Sequence, residues 1–161
     1  MTAIPSPAVE LIHTNEWHLR EGQTLSEEHW VWAPDLHTEG MIEAPLSALC
    51  NTAEVSGDIA AQTWLAALET LRWTGRASRP VRFAGRYVEL QGEAQASLVA
   101  AGQTISLDPS ARFHQGVALL GLTIVADGEF SSNVWISANS VTLKGTYHGP
   151  LYVSGADIQI A

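Results

Sequence analysis

The sequence predicts an all-β fold, a right-handed triangular β-helix (a β-solenoid) of about eight rungs of 17–19 residues each. Three observations predict it: a repeat of nearly constant length, period-two alternation of apolar and polar residues inside each repeat, and a recurrent glycine at one repeat position. Segments beginning at Val81, Leu98, Val117, Val134 and Leu151 read VRFAGRYVELQG, LVAAGQTISLDP, VALLGLTIVADG, VWISANSVTLKG and LYVSGADIQIA. The same frame runs backwards to Trp64, Leu46 and His29, so that successive starts are 17, 18, 17, 17, 19, 17 and 17 residues apart. Residues 29–161 are thereby assigned to the solenoid and residues 1–28 to an N-terminal arm or cap.

Each element follows from the columns of this frame. Position three (Val31, Ala48, Ala66, Phe83, Ala100, Leu119, Ile136, Val153) and position eight (Leu36, Ala53, Leu71, Val88, Ile105, Ile124, Val141, Ile158) are apolar throughout. Position ten is apolar as well, while position nine between them is mostly polar, as a strand with one buried face requires. Glycine fills position twelve in all but one complete rung, where a corner favours a residue without bulk. A third apolar column (Ile42, Ala77, Ala94, Phe113, Phe130, Tyr147) gives three inward sets per turn, hence a triangular prism. Taken alone, AAQTWLAALETLRW has apolar residues at helical spacing, but it sits in frame and is expected to be a strand. A strict six-residue period is missing, which favours the right-handed form over the left-handed hexapeptide solenoid.

Composition narrows the function classes. Seventeen Asp and Glu against eight Lys and Arg leave a net charge of −9, so a basic footprint for nucleic acid or anionic lipid is missing. No apolar stretch approaches the roughly 18 residues of a spanning helix. The start, Met1 to Glu10, has neither a basic n-region nor an apolar h-region, and two prolines interrupt it, so no strong membrane anchor and a cytoplasmic location are expected. A single cysteine, Cys50, fits a reducing compartment and falls at a small corner position, where a buried structural thiol is expected.

The residue patterns offer little chemistry. His13, His18, His29, His37, His114 and His148 show no spacing that presents two metal ligands together, and GxGxxG and GKS/T loops do not occur, so no metal or cofactor is expected. Asp108 and Asp127 share a column on neighbouring rungs with Lys144 next, an arrangement that carbohydrate-active β-helix enzymes could use. Rungs this short leave little room for a cleft, and a solvated ladder with a cross-rung ion pair is the preferred reading. The chain is expected to be no enzyme.

Two surfaces suggest partners instead. The last rung ends at Ala161 with no blunting element, so Leu151, Val153, Ile158 and Ile160 are expected to form a self-assembly surface for another copy. Outward positions of the first face are also apolar, with Trp30, Trp32, Leu65, Val99, Leu120, Trp135 and Tyr152 as contact residues. Its expected cover is residues 5–25 of the same chain, with a neighbouring protofilament or another protein as alternatives.

Rungs such as TAEVSGDIAAQ, VELQGEAQAS and VTLKGTYHGPLYVSGADIQIA resemble the repeat of the bactofilin, or polymer-forming cytoskeletal, family over about residues 29 to 161. The resemblance implies a cytoplasmic β-helix, placed at the inner face of the membrane, that polymerises end to end without a nucleotide. It implies a scaffold role in bacterial envelope or cell-shape organisation, with itself and envelope or cell-wall proteins as partners. The alternatives are a non-polymerising β-solenoid adaptor holding a protein on its apolar face and, more distantly, the carbohydrate-active enzyme.

Overall fold

The computed structural model describes residues 9–161. The chain winds through nine stacked coils, residues 10–25, 29–42, 46–59, 63–77, 81–94, 98–113, 117–130, 134–147 and 151–160, and no helix occurs among the described residues. The first eight coils supply three strand segments each and the ninth two, the first two being fused into one strand in the five middle coils, for example Val81–Leu90 and Leu98–Leu107. Every pairing is parallel: one 13-stranded sheet carries the first and second faces, and an 8-stranded sheet carries the third. The fold is thus an all-β solenoid with three strand segments per turn.

Stacking in register turns each repeat position into a column of like residues. Val81 pairs with Leu98 and Leu98 with Val117, while Val88, Ile105 and Ile124 form the next inward column. These side chains fill one continuous core along the axis. On the third face Phe113, Phe130 and Tyr147 stack as a ladder, with ring centroids 5.0 and 4.7 Å apart and planes 14° and 2° from parallel. The repeated glycine reflects close backbone approach more than unusual torsion. A Cβ on Gly57 would strike the carbonyl oxygen of Gly40 below it, and one on Gly75 that of Gly57. In this column only Gly128, at φ +108°, also needs the left-handed region.

Two expectations are corrected. Residues 10–25 are not an arm lying across the first face but the first coil: Glu10–His13 pairs with His29–Trp32, Glu16–Leu19 with Asp35–Thr38 and Thr24–Leu25 with Met41–Ile42. Backbone pairing along all three faces outweighs the contact that a loose arm could make, and it raises the number of coils to nine. Of the expected 1–28 segment, residues 1–8 lie outside the described residues.

The second correction concerns Leu65. The fourth coil begins at Thr63, not Trp64, because Val81 pairs with Thr63 and Phe83 with Leu65. The extra residue sits inside the strand Thr63–Trp73 as a bulge at Leu68 and Glu69, opposite single residues in both neighbouring coils. Leu65 therefore points inward at 2% exposure, and Trp64 takes its place on the surface at 49%. Ala66, expected inward, turns to the outer side for the same reason. The segment is nevertheless a strand, as the repeat frame requires.

Candidate functional site: an apolar face and an exposed end coil

The first face is built from two outward columns. Register pairing places Leu11, Trp30, Ser47, Trp64, Arg82, Val99, Ala118, Trp135 and Tyr152 in one line. The second line, two residues further along each strand, runs His13, Trp32, Leu49, Ala66, Ala84, Ala101, Leu120, Ser137 and Ser154. Arg82 and His13 are the basic residues in these two lines, and both lie on rings: the Arg82 guanidinium sits 4.6 Å from the Trp64 centroid, and His13 stacks on Trp32 at 4.9 Å.

Relief on this face is uneven. A groove of about 660 Å³ runs over the N-terminal coils between Trp30, Trp32, Trp64 and Val99, with Ser47 and Ala66 on its floor. Over the C-terminal coils, Trp135 and Tyr152 stack at 4.3 Å into a ridge, beside a smaller hollow at Ala118, Leu120 and Ser154. The expected face residues Trp30, Trp32, Leu120, Trp135 and Tyr152 are exposed, and Val99 is half-buried within the same face. Trp64, Leu49 and Leu11 complete it. Sequence reading missed Trp64 through the frame error and Leu11 by placing it in an arm. Leu49 was visible as an outward apolar position.

The other two faces are charged and zipped across coils. Arg72 pairs with Glu89 at 2.8 Å, Glu93 lies between Arg76 and His114 at 3.7 and 2.9 Å, and Glu129 between Arg112 and His148 at 3.9 and 3.6 Å. His18, His29 and His37 similarly meet Glu39, Glu10 and Glu54 of adjoining coils or turns. Such exposed pairs each contribute about 0–1 kcal/mol and align neighbouring coils more than they stabilise them.

The Asp108–Asp127 ladder does not form the expected cross-rung pair with Lys144. Asp108 Oδ1 instead accepts from the Ser110 hydroxyl at 2.7 Å and its backbone N–H at 2.9 Å, bonds that hold its carboxyl below the usual carboxylate range. Asp127 Oδ1 accepts from the Gly128 N–H at 2.8 Å. Both carboxylates are used in shaping turns. Cys50 is buried, and burial, then the Asp35 charge, pushes its thiol up to about 11, so little nucleophilic thiolate exists near neutrality.

The coil of residues 151–160 forms the second candidate surface. Its inner edge pairs with residues 134–143, and its outer edge has no partner among the described residues. Leu151 and Val153 are half-buried, whereas Ile158 and Ile160, in line with the fully covered Val141 and Leu143, are 45% and 84% exposed.

Compared with protein-family models, with curated proteins and with solved structures, the chain matches none. What fold and surfaces define is a class: a β-solenoid with one apolar outer face, ion pairs across coils on the other two, and an end coil whose outer edge has no partner among the described residues. No helix among the described residues is long and apolar enough to cross a membrane.

Proposed function

We propose that the chain is a structural scaffold that assembles end to end, coil on coil, into filaments that need no nucleotide, and that it is not an enzyme. The observation carrying this reading is the coil of residues 151–160. It continues the first two strand columns of the interior coils, yet among the described residues its outer strand edge, with Ile158 and Ile160, has no partner. Pairing with another copy would continue the parallel ladder at about 4.8 Å per coil and bury those side chains. The likeness of its rungs to the bactofilin repeat supports a bacterial, cytoplasmic setting at the inner face of the membrane. It also supports envelope or cell-wall proteins as the clients of such a scaffold.

Negative-stain microscopy of the 1–161 chain tests the reading directly. Long filaments are expected, and Ile160→Asp is expected to abolish them while β-type circular dichroism persists. Filaments that survive Ile160→Asp and Ile158→Asp would remove end stacking from consideration. The exposed Trp30, Trp32 and Trp64 favour a second reading, a non-polymerising adaptor carrying a protein on the first face. Discrete particles of the wild-type chain, with none longer than one solenoid, would select it.

A further inference from the structure

We infer that the apolar first face is a lateral interface for a second copy of this chain, packed face to face with the two solenoid axes antiparallel. Charge favours such a pair independently of end stacking. A chain of net charge −9 repels its own copies over most of its surface, and the two outward columns of this face contain no carboxylate. Apposing two copies here brings no acidic groups together. Area is sufficient as well. Nine coils about 4.8 Å apart and strands of four residues give a face of roughly 40 by 13 Å. Two such faces, with the relief of their rings, bury on the order of 1,000 Å² or more, the scale of a specific interface.

Shape selects the orientation. With the twofold axis between the fifth and sixth coils, parallel to the strands, each column faces itself in reverse order. Trp135 of one copy then lies over Ser47 of the other, and Trp64 over Ala118. In the second column Leu120 meets Ala66, and Trp32 meets Ser154. Trp135 of each copy thus enters the hollow between Trp30 and Trp64 of its mate, and Arg82 faces Val99, not another arginine. Large meets large only where Trp30 meets Tyr152, at the rim, where two rings can stack beside solvent. Shifting the axis by half a coil would set Trp30 on Trp135 and Arg82 on Arg82. Parallel axes would set Trp30 against Trp32 twice.

The test uses the 1–161 chain carrying Ile160→Asp, which separates this interface from end stacking. Sedimentation equilibrium at micromolar concentration is expected to give twice the 17.3 kDa chain mass. Adding Trp64→Asp and Trp135→Asp, both at exposed positions, should give the single-chain mass with unchanged circular dichroism. A monomer before those changes, or a dimer after them, overturns the interface. Register is read by a swap: Ser47→Trp fills the hollow and should give monomers, and Ser47→Trp with Trp135→Ala should restore the dimer. Failure of that rescue refutes the antiparallel register, because in the parallel arrangement Ser47 lies against Leu49 and the second change relieves nothing.

Discussion

Replacing Phe130 with alanine removes the middle ring of the aromatic ladder. Phe130 is fully buried and lies between Phe113 at 5.0 Å and Tyr147 at 4.7 Å, with both neighbouring ring planes nearly parallel to its own. Truncating a buried phenylalanine costs about 3–5 kcal/mol, depending on how far the surroundings collapse into the space. Collapse is restricted here, because backbone pairing fixes the Phe113 and Tyr147 strands on either side. The loss should therefore lie in the upper half of that range, about 4–5 kcal/mol, with two stacked contacts of about 0.5–1.5 kcal/mol each included. A domain of 161 residues has a total stability of roughly 8–24 kcal/mol, so the variant should still fold. Urea unfolding followed by circular dichroism, in the Ile160→Asp, Trp64→Asp, Trp135→Asp background to exclude both end stacking and lateral pairing, measures the difference. Amide exchange should also show residues 134–160 losing protection before residues 29–107, since coils hold only their neighbours. A loss below about 1.5 kcal/mol would refute the claim that the ladder is a packed part of the core.

Two further outcomes follow from the same geometry. Leu65→Asp places a carboxylate in the core and should abolish the cooperative transition, whereas Trp64→Asp, compared in a chain already carrying Ile160→Asp and Trp135→Asp so that loss of pairing does not enter, should leave it within about 1 kcal/mol; the reverse order would restore the frame beginning at Trp64. Tyr147 donates from its hydroxyl to the Ala126 carbonyl at 2.9 Å, and burial, then the Asp127 charge, pushes its phenol up to about 12. Because this lies above the unfolded value of about 10, the folded chain binds the proton more tightly. The contribution is complete below about pH 10 and is lost as pH rises through about 12. A difference titration against Tyr147→Phe reads it, and ionisation near 10 in the folded state would contradict the burial.

The solenoid was legible because parallel stacking forces every coil to repeat the same inward columns, and Val81, Leu98, Val117 and Val134 display them openly. The fourth coil hid its frame at one residue. Thr63 occupies an inward position that is apolar in the next five coils, and it can do so because its hydroxyl donates to the Ala61 carbonyl at 3.1 Å. A frame that demanded an apolar start therefore slid to Trp64, and the bulge at Leu68 and Glu69 absorbed the difference. The first coil was concealed by its turn, where Gly22 at φ +79° and the polar residues around it interrupt the pattern, and by the modest burial of Ile12 and Trp17. The apolar face could be read from Trp30, Trp32 and Trp135. Its relief, which decides what fits against it, depends on where Trp64 points and became visible only in three dimensions.

Register pairs such as Val81 with Leu98 join residues 17 positions apart, and the others on this face lie 17–19 apart. Set against 161 residues, 17 positions is a relative contact order of about 0.11, in the range of quickly folding helical bundles and well below that of ordinary sheet proteins. Each added coil closes a loop of nearly the same length, so the entropic cost of winding does not grow as the structure lengthens. A chain emerging from the ribosome can lay down one layer at a time on the layer already formed, without waiting for its far end. For a wholly parallel architecture this makes the folding of each layer a local event.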